Sequence, residues 1–574
     1  MILHGIGASA GIGIGHAVCL REQNLDYTGV VFSGKEEEKK RLQTAVDTFC
    51  FRTQAMADDL QQRIGEKESE ILTGQIMMLN DPFMISQMQE AIDGGSVAEA
   101  AVDHVCTLYA DMFAGMEDEL MRQRSADVQD IRTRMLGILL GEEAVDLSTL
   151  PAGSVLIAHD LTPSMTVGLK REKIAAILTE TGGKTSHSAI LARALEVPAV
   201  LSIPDVLSAI ADGAVVIADG SAGEIIVDPD FCTINAYEEK RKAFLEERAQ
   251  LSLYRDRKTA DADGNPYALY ANIGTPAEAE AAQAAGAEGI GLFRTEFLFM
   301  DRSTMPSEEE QTAAYLEVSE QMAGKEVIIR TLDIGGDKAV PYLQMGAEDN
   351  PFLGYRAIRY CLDHSEIFQI QLRALLRAGA KYRNIKIMLP LITSVEEVRA
   401  AKALLAACKK QLADEGIAFD DGMQVGVMIE TPAAVMIADW LAREVDFFSI
   451  GTNDLTQYVM AVDRGNARVE KLYTAFHPAV LRSIRSVIQA AKRAGIPVGM
   501  CGEAAADPGL IPLLLSFGLD EFSVSASSVL QTRKLIAGWH AADAAAVTEK
   551  AMNLSTAEET ERYLQAVHQK EEQH

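Results

Sequence analysis

The spacing of apolar and polar positions divides the chain into successive regions of different character. From about Lys35 to Leu140, apolar residues recur near every 3.6 positions between charged runs such as Glu36 to Arg41, with almost no strand signal. That pattern predicts an all-helical segment. After Asp146 short apolar runs at 154–158, 174–178, 199–203, 214–218 and 223–227, punctuated by Pro and Gly, predict a compact α/β domain. Residues 233–257 carry many charges and few apolar positions, and read as a connecting helix that lets its neighbours move relative to one another. From Tyr267 onward eight apolar runs, at 267–273, 289–294, 326–331, 384–389, 424–429, 446–450, 496–500 and 521–525, alternate with helical stretches. Eight βα units predict a TIM barrel, whose chemistry collects at the C-terminal ends of the strands.

Charge and composition narrow the function classes. With 53 basic and 83 acidic side chains among 574 residues the net charge is −30, which repels nucleic acid and anionic membrane and favours basic partners. Seven cysteines, with no CxxC pair, suggest neither a disulfide framework nor a zinc cluster and point to a reducing compartment. No stretch supplies the roughly 20 apolar residues needed to cross a bilayer, and no signal peptide opens the chain. A cytoplasmic protein without membrane insertion is expected. The glycine-rich opening, Gly5 to Gly15, imitates a dinucleotide fingerprint, but no adequate strand precedes it and no helix pattern follows at once.

Candidate chemistry gathers at two places. In Thr-Gly-Gly-Lys-Thr-Ser-His-Ser-Ala-Ile-Leu, residues 181–191, a Gly-Gly turn after the strand at 174–178 puts His187 at the start of a helix. First-turn amides and the helix dipole would stabilise a phosphoryl group carried there. A lone His at a helix start is more often a cap or a surface residue, so the local pattern leaves both readings open. The second place is the set of polar residues after the barrel strands. Arg294 follows the second strand, and Arg330 and Lys338 follow the third, a set of cations suited to phosphate and carboxylate oxygens. Glu430 follows the fifth strand; Asn453 and Asp454 follow the sixth, with Arg464 beyond. Hard carboxylates on neighbouring strands suit Mg²⁺. Cys501 puts a thiol at the rim after the seventh strand. Each of these residues alone has a structural explanation, for instance Glu430 as a helix cap or Arg294 as the partner of Glu296. Their joint occurrence at strand ends favours a site for a small phosphorylated acid.

The wording around His187, with Ala-Arg and Val-Pro-Ala-Val following, closely resembles the phosphohistidine signature of the phosphoenolpyruvate-utilising enzymes. Gly-Leu-Phe-Arg-Thr-Glu-Phe-Leu and Ser-Ile-Gly-Thr-Asn-Asp-Leu likewise resemble the barrel of the enzyme I group of the phosphoenolpyruvate:sugar phosphotransferase system, and the likeness spans nearly the whole chain. Lys184 stands where an Arg is usual. The resemblance implies a multidomain α/β architecture: a phosphohistidine swivel domain (1–20 and 147–229) with an inserted all-helical domain (21–146), a linker helix (230–259) and a phosphoenolpyruvate-binding TIM barrel (260–574). On that resemblance the N-terminal segment adds a strand to the His187 domain. Arg294, Arg330, Asn453 and Arg464 hold phosphoenolpyruvate, Glu430 and Asp454 hold Mg²⁺, Cys501 gives and takes a proton, and Thr166 orients the His187 imidazole. The implied reaction moves the phosphoryl group of phosphoenolpyruvate to His187 and then to a histidine of the phosphocarrier protein HPr, releasing pyruvate. The insert is the implied HPr docking domain. Its acids in 66–70 beside Ile76-Met-Met-Leu79 suit a basic partner, although Met and Leu at this spacing also read as core, and Asn80, Pro82 and Phe83 stand where more acid would be usual. A homodimer through the barrel is implied as well.

Three alternatives remain in view. A pyruvate, phosphate dikinase or phosphoenolpyruvate synthase needs an ATP-binding module, for which no P-loop is found and the 20–145 stretch is too short and too helical. The nitrogen-related variant usually carries an added N-terminal sensory domain. A non-catalytic phosphocarrier scaffold would not need Glu430, Asp454 and Cys501 together.

Overall fold

The structure, a computed structural model, describes all residues except 21–24, 64–65, 116–118, 143–146, 148–149, 162–164, 166–168, 184–185, 301, 303, 336–339, 344, 347, 467 and 572–574. The chain divides into two compact units, Met1–Arg248 and Ala249–His574.

In the first unit one mixed sheet takes strands from both sides of the helical stretch. It comprises β1 (Ile2–His4), β2 (Ile6–Ser9), β3 (Ile12–Leu20), β4 (Ser154–Ala158), β5 (Ile174–Thr179), β6 (Ala199–Leu201), β7 (Val215–Asp219) and β8 (Glu224–Val227), in the order β1-β8-β7-β3-β4-β5-β6-β2. The N-terminal segment therefore gives three strands where one was expected. Because only Gly5 separates β1 from β2, the two ends of the sheet are brought together and the sheet must be rolled. This closeness explains the glycines: a Cβ on Gly5 would lie 2.5 Å from the carbonyl oxygen of Leu201, and one on Gly15 only 1.9 Å from that of Gly153. Backbone crowding, not a nucleotide, is what they serve.

The inserted segment is helical over Lys35–Arg63, Glu66–Leu79, Pro82–Asp93, Ala98–Ala114 and Glu119–Leu140. Its apolar positions close one core, among them Leu42, Phe49, Leu79, Met88, Val102 and Ile131. A buried ionic group fixes the helix ends: Glu38 is fully enclosed, accepts from the Ala98 amide at 2.9 Å and pairs with Arg41 at 2.8 Å. Met77 and Phe83 stay exposed, at 71% and 67%, so the Met-Met-Leu run is split between core and surface. The connecting helix is Phe231–Ser252, with no buried residue.

The second unit is a closed barrel of eight parallel strands: β9 (Ala268–Ile273), β10 (Ile290–Arg294), β11 (Val327–Arg330), β12 (Ile385–Leu389), β13 (Val425–Ile429), β14 (Phe448–Ile450), β15 (Val498–Met500) and β16 (Glu521–Ser525), with β16 closing on β9. Every strand falls within two residues of the run that predicts it. Strand sides facing the surrounding helices, such as Phe293, Ile329, Ile387 and Val427, join the large core. The opposite sides fill the barrel with Leu292, Ile328, Met388, Met428, Phe447 and Cys501. Among the described residues, no helix is long and apolar enough to cross a membrane.

Candidate active site at the barrel mouth

At the start of the helix His187–Ala194, Ser186 takes the N-cap position and accepts from the Ala189 amide at 3.3 Å. Gly182 turns with φ +100°, its carbonyl accepting from Ser202 at 2.6 Å, so the Gly-Gly turn is held in a conformation that favours glycine. Ser188 is fully buried and donates to Asp160 at 2.7 Å, which ties the loop after β4 to the first turn of this helix. His187 thus occupies the first helical position after a capped turn. Thr166 and Lys184 lie outside the described residues, as does Lys338 in the barrel.

In the barrel the strand ends converge on an ionic cluster. Arg330, at the end of β11 and 7% exposed, pairs with Glu296 after β10 and with Asp333 at 3.1 Å. Arg356, 3% exposed, donates to Asp333 at 2.8 Å and lies 3.3 Å from Asp454. Arg464 reaches the other oxygen of Asp454 at 3.2 Å. Asn453 is half-buried, accepts from the Glu503 amide at 3.1 Å and donates to the Glu503 carboxylate at 3.3 Å. Arg294 is exposed at the tip of β10, and the partner of Glu296 is Arg330. Arg330, Asp333, Arg356, Asp454 and Arg464 therefore belong to one connected group, with Asn453 beside Asp454 in the helix Thr452–Met460.

Glu430 is 2% exposed and is not a helix cap, a role taken by Thr431, which accepts from Ala434 at 3.1 Å. One Glu430 oxygen accepts from the Leu391 amide at 2.6 Å, and the other lies 2.8 Å from where a Cβ on Gly451 would stand. Burial, reinforced by Asp454 and Asp333, pushes its carboxyl up to about 8, against the pull of Arg330 and Arg356. Burial alone would weaken the positive charge of Arg330, but Glu296 and Asp333 outweigh it and hold the guanidinium above its ordinary value. The Nε atoms of Arg330 and Arg356 are enclosed without a hydrogen-bond partner among the described residues. The donor set, carboxylate oxygens crowded enough to raise a proton affinity, fits a hard divalent cation.

Cys501 is not at the rim. It is 4% exposed inside the barrel, and burial pushes its thiol up to about 11, well above the ordinary value the sequence suggests. Glu430 and Glu521 add to that rise while Ser449 and Arg330 oppose it. Such a thiol holds its proton at neutral pH and is a donor before it is a nucleophile.

Sequence reasoning missed Asp333 and Arg356, and read Glu296 only as a neutral partner for Arg294. Asp333 lies in the very block that singles out Arg330 and Lys338. Arg356 comes from a loop far beyond the end of β11, where no spacing rule places it; Ala357 beside it takes the left-handed φ of +50°, the one local sign of a constrained backbone.

Comparison with known proteins agrees with this organisation. Residues 248–541 match the PEP-binding domain of PEP-utilising enzymes, 150–223 their mobile domain, and 4–124 their N-terminal domain. The phosphoenolpyruvate-protein phosphotransferase of Geobacillus stearothermophilus is 46% identical over 97% of this chain and 96% of its own length. That of Bacillus subtilis is 45% identical over 97% and 98%, and that of Streptococcus equinus 44% identical over 93% of each. The chain belongs to the PEP-utilising enzyme family and, within it, to the phosphoenolpyruvate-protein phosphotransferases.

Proposed function

We propose that this enzyme moves the phosphoryl group of phosphoenolpyruvate to its own His187 and from there to a histidine of the phosphocarrier HPr in the cytoplasm, releasing pyruvate, with Mg²⁺ bound. The observation that carries the reading is buried Asp454 paired with both Arg356 and Arg464 at the mouth of the barrel, where Glu430 and Arg330 are also buried at the C-terminal ends of their strands.

Neutral His187 attacks phosphorus in line, and Thr166 orients the ring. Arg294, Arg330, Lys338 and Arg464 hold phosphate and carboxylate oxygens, with Asn453 fixing the end of the substrate beside Asp454. Glu430 and Asp454 would hold Mg²⁺, which when bound spreads the charge of the transferring group. As the P–O bond breaks the enolate of pyruvate leaves, and the Cys501 thiol gives its proton to the methylene carbon. The connecting helix Phe231–Ser252, with no buried residue, suits a domain that leaves the barrel to meet its acceptor. Exposed Phe51, Met77, Phe83 and Met112 on the helical insert, in a chain of net charge −30, support docking of a small basic protein there. Exposed Met436 and Trp440, after β13, support self-association through the barrel.

Incubation with Mg²⁺ and phosphorus-labelled phosphoenolpyruvate is expected to leave acid-labile, base-stable label on the unmodified protein and none on His187→Ala, with pyruvate formed in the first alone. Absence of label and of pyruvate from the unmodified protein would sink the proposal.

A further inference from the structure

The helix Thr452–Met460 carries Asn453 and Asp454 in its first turn, and the chain that leaves its far end turns back toward them. The reversal is made at Ala461, a non-glycine residue held at the left-handed φ of +53°, whose amide donates to the Gln457 carbonyl. The Val462 amide donates to the same carbonyl at 3.0 Å. Beyond it, the Arg464 amide donates to the side-chain Oε1 of Gln457 at 3.1 Å. Gln457 is 4% exposed and follows Asn453 and Asp454 at the spacing that puts all three on one side of the helix. From that fixed start the Arg464 side chain meets Asp454 at 3.2 Å.

The same segment is pinned a second time at its far end. Tyr473, half-buried, donates its hydroxyl to the Asn453 carbonyl at 3.1 Å. Burial raises the proton affinity of that hydroxyl and Arg464 opposes the rise, which puts the guanidinium close by. The Gln457 contact differs in kind from the ion pairs of the cluster. It engages the main-chain N–H of Arg464 and none of the guanidinium N–H groups, so it persists when the guanidinium exchanges Asp454 for another partner. The Arg464 side chain is 32% exposed, and a long side chain at such a site has many rotamers to lose on binding a ligand. Fixing its backbone origin narrows them beforehand.

We infer that Gln457 is a positioning residue for phosphoenolpyruvate: its buried side-chain oxygen, with Tyr473 at the far end of the segment, holds the origin of Arg464 so that the guanidinium faces the substrate and not solvent. The inference rests on Arg464 as a substrate contact. Neither Gln457 nor Tyr473 has to touch the substrate itself. Loss of the Gln457 oxygen strands the Arg464 N–H, which regains a partner by moving toward water, and the guanidinium moves with it. A displacement of about 1 Å at such a contact can cost on the order of a hundredfold in rate.

A double-mutant cycle separates this role from a structural one. The probe is phosphoenolpyruvate, titrated with Mg²⁺ into the full-length protein carrying His187→Gln, which removes the phosphoryl acceptor so that binding is read by calorimetry. Gln457→Met, similar in length but without the acceptor oxygen, is expected to weaken binding about tenfold, and Tyr473→Phe about threefold. Arg464→Met keeps its main-chain N–H, and with it the bond to Gln457, and should weaken binding on the order of fiftyfold. Added to Arg464→Met, either of the other changes should cost less than about twofold, because the group they position is gone, whereas a merely structural role costs the same in both backgrounds. Tyr473→Phe removes one hydroxyl from a half-buried ring and carries the test if Gln457→Met does not fold. Unchanged binding in the single variants, or equal losses with and without the Arg464 guanidinium, overturns the inference. Unchanged binding in Arg464→Met shows instead that Arg464 is not a substrate contact, and the inference falls with that reading.

Discussion

Arg356 donates to Asp333 across 2.8 Å, with both side chains shut away from solvent, and its second contact, to Asp454 at 3.3 Å, ties the loop beyond β11 to the helix after β14. One guanidinium so joins the regions beyond two strand ends, Arg330 and Ile450, that lie 120 residues apart in sequence. Removing one partner of such a buried pair leaves an uncompensated charge. Arg356→Leu is expected to destabilise the barrel by about 3–5 kcal/mol, read from its unfolding midpoint in denaturant. Arg356→Lys should recover only part of this, because a single ammonium cannot reproduce the planar fork. A loss below about 1 kcal/mol in the Leu variant would mean that the cluster tolerates the missing charge.

The crowding around Glu430 sets a pH dependence for the cation. With its carboxyl raised to about 8, Glu430 holds a proton at neutral pH, and a divalent cation bound there as proposed would have to displace it. Mg²⁺ titrations at pH 7 in buffers of different ionisation enthalpy should therefore report proton release. The release should fade as pH rises beyond 8, where the group is already ionised, and apparent affinity should rise over the same interval. Glu430→Gln should abolish both effects, and proton-neutral binding at pH 7 by the unmodified protein would contradict the assignment.

Burial of Cys501 predicts an inert thiol. Its proton is held up to about 11, while Cys232 lies exposed on the connecting helix. Alkylation at pH 8 followed by peptide mapping should label Cys232 early and Cys501 only on unfolding. Early labelling of Cys501 would show that solvent reaches the barrel interior from above.

Arg533 holds the start of the second unit. Though 1% exposed, it donates to the carbonyls of Tyr254 and Arg255, each at 2.9 Å, to that of Gly286 at 2.5 Å and to the Thr259 hydroxyl at 2.9 Å. Arg533→Met keeps the apolar stem but strands these acceptors, at a cost of about 1–3 kcal/mol for each one left unsatisfied. Limited proteolysis between residues 253 and 259 should begin at lower temperature in this variant. An unchanged cleavage pattern would show that the stretch is held by something else.

The eight barrel strands were legible because each is a short apolar run buried on both faces and followed by a helical period; β9 and β13, for example, begin one residue inside the runs at 267–273 and 424–429. That a helix starts at His187 was legible from the Gly-Gly turn, a local matter of backbone geometry, whereas a role for its imidazole came from the family resemblance and not from the local pattern. Arg330, Glu430 and Asp454 were placed by the rule that strand ends share one mouth, which needs only their position in the repeat. The glycines of the opening segment were different. Local reading could discard a nucleotide but could not supply the carbonyls of Leu201 and Gly153 against which Gly5 and Gly15 pack.

What sequence alone determined, then, is whatever follows from a period and a neighbour: which stretches are helix or strand, the order of the units, and which side chains stand at strand ends. Tertiary structure decided everything that depends on groups meeting across the chain. It made Arg330, rather than Arg294, the partner of Glu296, brought Arg356 in from a distant loop, and moved Cys501 from the rim to the interior. The physical reason is that burial and the Coulomb field of remote side chains set proton affinity, and neither exists until the barrel closes.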